Sequence, residues 1–174
     1  MSIDTSWMQG GSPTLINNIL DGDGGTLGKD GETDAVAGDI VHFAIGTYEL
    51  GLAQGYFRLL IDGVNIEGEG WDNTIFRGAN ATGNVPVWEV LSSNNELRDF
   101  GTENSTVGMG VIGANYDNIS FLRIKTIGHD QHIVVDEQNV PVENGPTIIP
   151  SVFIENCVFE GTPGLRAVAG TGVK

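Results

Sequence analysis

The feature that most constrains this chain is a recurrence of short apolar runs broken by turn residues. From Gly38 onward each run lasts only a few residues, as in Ile40-Val41-His42-Phe43, Leu59-Leu60-Ile61, Val64-Asn65-Ile66, Thr74-Ile75-Phe76 and Val107 to Ile112. Ile119 to Ile124 and Val152 to Phe159 continue the series. Gly and Asp punctuate it, as at Asp62-Gly63 and Gly68-Glu69-Gly70. Runs of this length, bounded in this way, read as β-strands. Their spacing repeats: Ile75 to Leu97 is 22 residues, Leu97 to Ile119 is 22, Val90 to Val111 is 21 and Ile119 to Val152 is 33. The last interval exceeds the period by 11 and contains the polar, proline-bearing stretch Asp136 to Pro146, as an insertion on one turn would.

A fixed period in the range of roughly 20–50 residues marks a repeat architecture. One turn of such a chain cannot bury its apolar side chains alone. Stacking sets like residues over like and pairs each strand with the turns above and below. Leucine-rich repeats share the period, but their fixed Leu and Asn spacing is absent. The expected fold is therefore all-β: a single-stranded right-handed parallel β-helix of about six turns over residues 38–174. Asn65, Asn94, Asn95, Asn118 and Asn156 flank the strands, where they fit either stacked amide ladders or ordinary turn positions.

Residues 1–37 have a different texture and are expected to form an N-terminal cap and loop. Ser12 is placed to N-cap a short helix with Pro13 in its first position. Leu15, Ile16, Ile19 and Leu20 would share one face, and Asp21-Gly22-Asp23-Gly24-Gly25 would end it. Such a helix covers the open end of a solenoid, which otherwise exposes strand edges and core.

Composition narrows the partners. Hydrophobic residues are 40% of the chain, too many for global disorder. Eight Lys and Arg against 23 Asp and Glu give a net charge of −15, spread along the sequence. Phosphate binding needs clustered cations, so neither a nucleic acid nor an anionic membrane is expected. Met1 to Trp7 shows no basic, then apolar, leader, and no apolar stretch reaches the ~20 residues of a membrane helix. A soluble chain that does not use the usual export route is expected. The single cysteine, Cys157, reads as a small buried hydrophobe.

Gly38-Asp39-Ile40-Val41-His42-Phe43-Ala44-Ile45-Gly46-Thr47-Tyr48, followed by Ile66-Glu67-Gly68-Glu69-Gly70-Trp71-Asp72-Asn73-Thr74-Ile75, resembles the first turns of the pectin-lyase-like β-helix superfamily. The resemblance spans roughly residues 38–160. It implies the fold. It does not imply an activity, because lyases, hydrolases, phage tailspikes and non-catalytic proteins share that fold.

The candidate chemistry is thin. Arg123-Ile124-Lys125 and Gly128-His129-Asp130 match fragments of a polygalacturonase signature, but in reversed order and without the aspartate pair. Inverting hydrolysis needs two carboxyl groups flanking the bond. A lyase would need basic residues in one groove, with Arg98 and Arg123 as a conceivable stack. His129 and His132 have the spacing of a metal-ligand pair without a third ligand. Asp21 to Glu32 has the length of a Ca²⁺ loop, but Thr26 stands where its glycine belongs, so Ca²⁺ is the one cation considered and no cofactor is expected. Trp71, Trp88 and Tyr116 are the candidate sugar-stacking residues; Trp7 and Tyr56 are further scattered aromatics, and core packing is the commoner use.

The expectation that follows is a non-enzymatic structural or interaction protein, a bacteriophage virion component such as a capsid decoration protein, fibre or tailspike module. The resemblance to phage β-helices implies a homotrimer, with other virion proteins or surface glycans as partners. The alternatives are an extracellular polysaccharide-binding β-helix, or a polysaccharide lyase or glycoside hydrolase. Val140 and Val142, apolar within the polar insertion, are the candidate interface residues.

Overall fold

A computed structural model describes residues 2–4, 20, 35–49, 56–78, 85–112, 116–136, 151–161 and 166–170. Among the described residues a first strand, β1 (Ser2–Asp4), precedes five coils of three short strands each. The first coil is β2 (Ile40–Phe43), β3 (Gly46–Glu49) and β4 (Phe57–Leu59). The second is β5 (Asn65–Gly68), β6 (Thr74–Arg77) and β7 (Pro86–Val90). The third is β8 (Glu96–Arg98), β9 (Gly101–Glu103) and β10 (Val107–Ile112). The fourth is β11 (Ile119–Leu122), β12 (Lys125–Ile127) and β13 (Gln131–Asp136), and the fifth is β14 (Val152–Glu155), β15 (Val158–Glu160) and β16 (Arg166–Gly170).

Among the described residues every pairing is parallel; β1 pairs with β2, and the others each join one coil to the next. The strands therefore sort into three sheets: β1-β2-β5-β8-β11-β14, β3-β6-β9-β12-β15 and β4-β7-β10-β13-β16. The chain visits the three sheets in turn, which makes a parallel solenoid. Of the expected N-terminal helix only Leu20 is among the described residues; it is buried, and its carbonyl accepts a 3.0 Å hydrogen bond from the Leu60 N–H. Leu15, Ile16 and Ile19, and the Asp21 to Glu32 loop considered for Ca²⁺, lie outside the described residues.

Alternation along each strand fills the interior. Val41, Ile66, Leu97, Phe121 and Ile154 stack in the first sheet. Phe57, Trp88, Met109 and Ile133 stack in the third. In the second sheet the column is Tyr48, Phe76, Thr102, Thr126 and Phe159, so apolar gives way to polar partway along. Over the first three coils the core is aromatic: Phe76 lies 4.9–5.3 Å, ring to ring, from Phe43, Tyr48, Phe57, Trp88 and Phe100.

The 22-residue period is not the register. Ile75 pairs with Gly101 in the second sheet, whereas Leu97 pairs with Ile66 and Phe121 in the first. Val90 with Val111 and Ile119 with Val152 are true partners. Down the first sheet the steps from Val41 are 25, 31, 24 and 33 residues. Each coil carries apolar runs on more than one sheet, so intervals between runs mix the coil repeat with the distance between sheets. The corners also differ in length. The second coil is long as well as the fourth, although only the fourth carries an insertion evident in the spacing of the runs.

Candidate functional site

The corner between the first and second sheets is the tightest. In the third, fourth and fifth coils two residues make the bend: Asp99-Phe100, Arg123-Ile124 and Asn156-Cys157. The first of each pair is left-handed, with φ of 60°, 52° and 54°. That conformation costs an L-residue about 1–2 kcal/mol, least for Asn and Asp. Arg123 is the outlier in the column. Its guanidinium donates two hydrogen bonds to the Asp99 carboxylate one coil away, at 2.6 and 2.7 Å. This fork-to-fork geometry is the strong form of an ion pair, and Asp99 holds the Arg123 guanidinium more firmly protonated than usual.

In the second coil the same corner is enlarged. Gly70, at φ 106°, begins a turn through Trp71, Asp72 and Asn73 that lies against the corner of the third coil. The Gly70 N–H donates to the Asp99 carbonyl at 2.8 Å, and the Asn73 and Thr74 N–H groups both donate back to the Gly70 carbonyl. Asn73 Nδ2 donates to the Glu69 carbonyl at 2.9 Å. Gly101 permits the close approach: a Cβ there would sit 2.5 Å from the Trp71 carbonyl oxygen.

The turn and the two corners below it enclose an open cleft of about 250 Å³, lined by Gly70, Trp71, Asp72, Asn73, Asp99 and Arg123. Trp71 is half-buried, and its indole N–H donates to Asp72 Oδ2 at 3.1 Å. Lys125 reaches the other oxygen of Asp72 at 3.3 Å and Glu160 at 3.3 Å. Glu160 first, then Asp72, raise its pKa. The cleft thus combines one aromatic face with a fixed, nearly neutral array of acceptors and donors.

The other candidate residues lie elsewhere. Trp88 is fully buried, stacked on Phe57 at 5.1 Å, and cannot meet a sugar. It occupies a strand whose five residues are all buried, where a large aromatic is a core residue. Tyr116 packs against the core at the corner between the third and first sheets, away from Trp71. Val140 and Val142 lie outside the described residues.

His129 and His132 face the interior. The Ser105 carbonyl lies 2.9 Å from His129 Nδ1 and so takes its proton, leaving Nε2 to accept from the Thr102 hydroxyl at 3.0 Å. His132 Nδ1 meets the Thr126 hydroxyl at 2.6 Å. Burial lowers both pKa values, and for His132 the neighbouring His129 adds to the effect. Among the described residues no group of three or more His, Cys, Asp or Glu is placed to hold a metal ion.

Arg98 and Arg123 do not stack. Arg98 lies on the outer face of the first sheet, level with Leu122 and bonded to Glu67 and Glu96, and Asp99 stands between the two arginines. The Asp72–Asp99–Arg123 grouping draws on three coils, so no linear motif announces it. Cys157 is half-buried, with its thiol pKa raised by burial.

No protein-family model matches the chain, and no curated protein or solved structure is significantly similar to it. What places the molecule among known architectures is thus its own topology: short parallel strands cycling through three sheets.

Proposed function

We propose that this chain is a structural module that works by contact rather than by turnover: a right-handed parallel β-helix of the pectin-lyase-like kind, serving as a virion component and assembled as a trimer. Right-handed crossover is the near-universal choice for parallel strands, and the Gly38 to Tyr48 segment carries the resemblance.

The observation that supports a structural role is the way surface charges are spent. Arg77 bridges Glu49 at 2.7 Å and Glu103 at 2.6 Å, one coil to either side. Arg98 binds Glu67 of the preceding coil at 3.3 Å, Arg123 binds Asp99, and Lys125 joins Asp72 to Glu160. Asn118 donates to Asn94 across coils at 3.1 Å. Each exposed pair is worth only about 0–1 kcal/mol. Repeated along the stack, such ties resist slippage of one coil on the next, which is what a load-carrying rod requires.

Light scattering of the purified chain tests the assembly. A mass three times 18.4 kDa is expected, and a clean monomer at micromolar concentration would refute the trimer. Incubation with polygalacturonate tests the role: depolymerisation abolished by Arg123→Ala would replace it with an enzymatic one. Capsid and tail genes flanking the coding sequence are expected.

A further inference from the structure

The geometry points to a binding site for a neutral oligosaccharide at the corner of the second to fourth coils, with one sugar ring stacked on Trp71 and its hydroxyls read by Asp72 and the Asp99–Arg123 pair. The site lies within one chain and uses no feature of the virion reading. It holds or fails whatever the oligomeric state.

Three properties carry it. The first is shape. A sugar ring has an apolar C–H face and a polar rim, and it needs an aromatic plane beside fixed hydrogen-bonding groups. Trp71, partly buried, lines a cleft of about 250 Å³ and supplies the plane. Ligand pockets usually run from about 300 Å³ upward, so this one suits a single ring of a longer chain, with the remainder in solvent.

The second property is rigidity. The Trp71 turn is held by the Gly70–Asp99, Asn73–Gly70 and Asn73–Glu69 hydrogen bonds, and the Asp72 carboxylate fixes the edge of the indole. The Asp99–Arg123 fork fixes the floor. Groups already held in place lose little freedom on binding, which is where weak carbohydrate sites usually fail.

The third is charge. Arg123 is neutralised by Asp99, and Lys125 by Asp72 and Glu160, on a chain of net charge −15. A polyuronate would meet repulsion over this surface. Neutral hydroxyls lose nothing by it, and vicinal pairs of them match both a carboxylate and a guanidinium fork.

The test is isothermal titration with maltohexaose, cellohexaose, laminarihexaose and mannohexaose, with trigalacturonate as the acidic comparison. Wild type is set beside Trp71→Ala, Trp71→Phe and Arg123→Asn, the last chosen because asparagine keeps the left-handed corner. At least one neutral hexasaccharide should bind saturably and quench tryptophan fluorescence. Trp71→Ala should weaken that binding on the order of tenfold, as for loss of one stacked ring. Trp71→Phe should retain most of it, and Arg123→Asn should weaken it about fivefold or more with an unchanged circular dichroism spectrum. If Trp71→Ala misfolds, the other two variants decide. Failure of all four neutral sugars to bind, binding indifferent to both positions, or tighter binding of trigalacturonate would overturn the proposal.

Discussion

Gly101→Ala places a single methyl group where the second and third coils touch, and its cost can be worked from the geometry. Gly101 does not have a positive φ, so alanine suits its backbone. The new Cβ, however, would lie 2.5 Å from the Trp71 carbonyl oxygen, against an ordinary contact of at least 3.4 Å. The carbonyl must retreat by almost an ångström, and it is backbone in a turn held by several hydrogen bonds, so it cannot swing aside as a side chain would. Overpacking of this kind costs about 1–3 kcal/mol. Loss of glycine freedom in the unfolded chain returns about 0.4–1 kcal/mol. At mid-range values the net destabilisation is about 1.3 kcal/mol. With a urea slope of about 2 kcal/mol per molar, the midpoint should fall by roughly 0.6 M. Urea unfolding followed by circular dichroism measures this. The same substitution should also raise acrylamide quenching of Trp71, read by difference against a Trp71→Phe background, because the turn lifts from the corner beneath it. An unchanged midpoint together with unchanged quenching would refute the packing argument and, with it, the view that Gly101 seats the turn.

Four further outcomes are expected. His129 and His132 are held neutral, with folded pKa values below the unfolded value of 6.5. As pH falls through that value the unfolded chain takes up protons first, so stability should drop between about pH 7 and 5, by at most about 1.4 kcal/mol per unit for each histidine; a urea midpoint flat across that range contradicts this. Trp88→Ala should cost about 3–5 kcal/mol and Trp71→Ala, which removes an only partly buried side chain, clearly less, a contrast that thermal melts of the two variants would expose or erase. Arg123→Val should be less stable than Arg123→Asn by about 1–2 kcal/mol, since both lose the Asp99 pair but only valine resists the left-handed bend; equal melting temperatures would count against the corner. Cys157 should react with a thiol reagent more slowly than a free cysteine at neutral pH, and urea should abolish the difference, because burial raises its pKa.

The strands were legible in the sequence and the coil repeat was not. Ile40–Phe43, Thr74–Arg77 and Ile119–Leu122 stand where runs bounded by turn residues put them. Assigning partners between runs failed at Ile75 and Leu97 because apolar pattern alone does not say which sheet a run belongs to. Trp71, Trp88 and Tyr116 were legible only as scattered aromatics for which core packing is the commoner use; Trp88 is such a core residue, and the cleft that Trp71 lines shows only once the coils are stacked. Asp99 and Arg123, 24 residues apart, meet only through the register of the stack. His129 and His132 have the spacing of a ligand pair but no third ligand in the sequence, and spacing conceals direction. They point inward, His129 to Thr102 of the preceding coil and His132 to Thr126 of its own coil.

The column Asp99, Arg123, Asn156 has a wider consequence. The coils differ in length, yet at this corner three of them turn in the same two residues with the same left-handed step. It therefore acts as the phase marker of the rod. Segments added at the other two corners lengthen a coil without advancing or retarding the strands that follow. A chain of this kind can vary the outline it presents while its thread keeps pitch, and a search for kindred sequences would do better to align on that two-residue step than on any interval between hydrophobic runs.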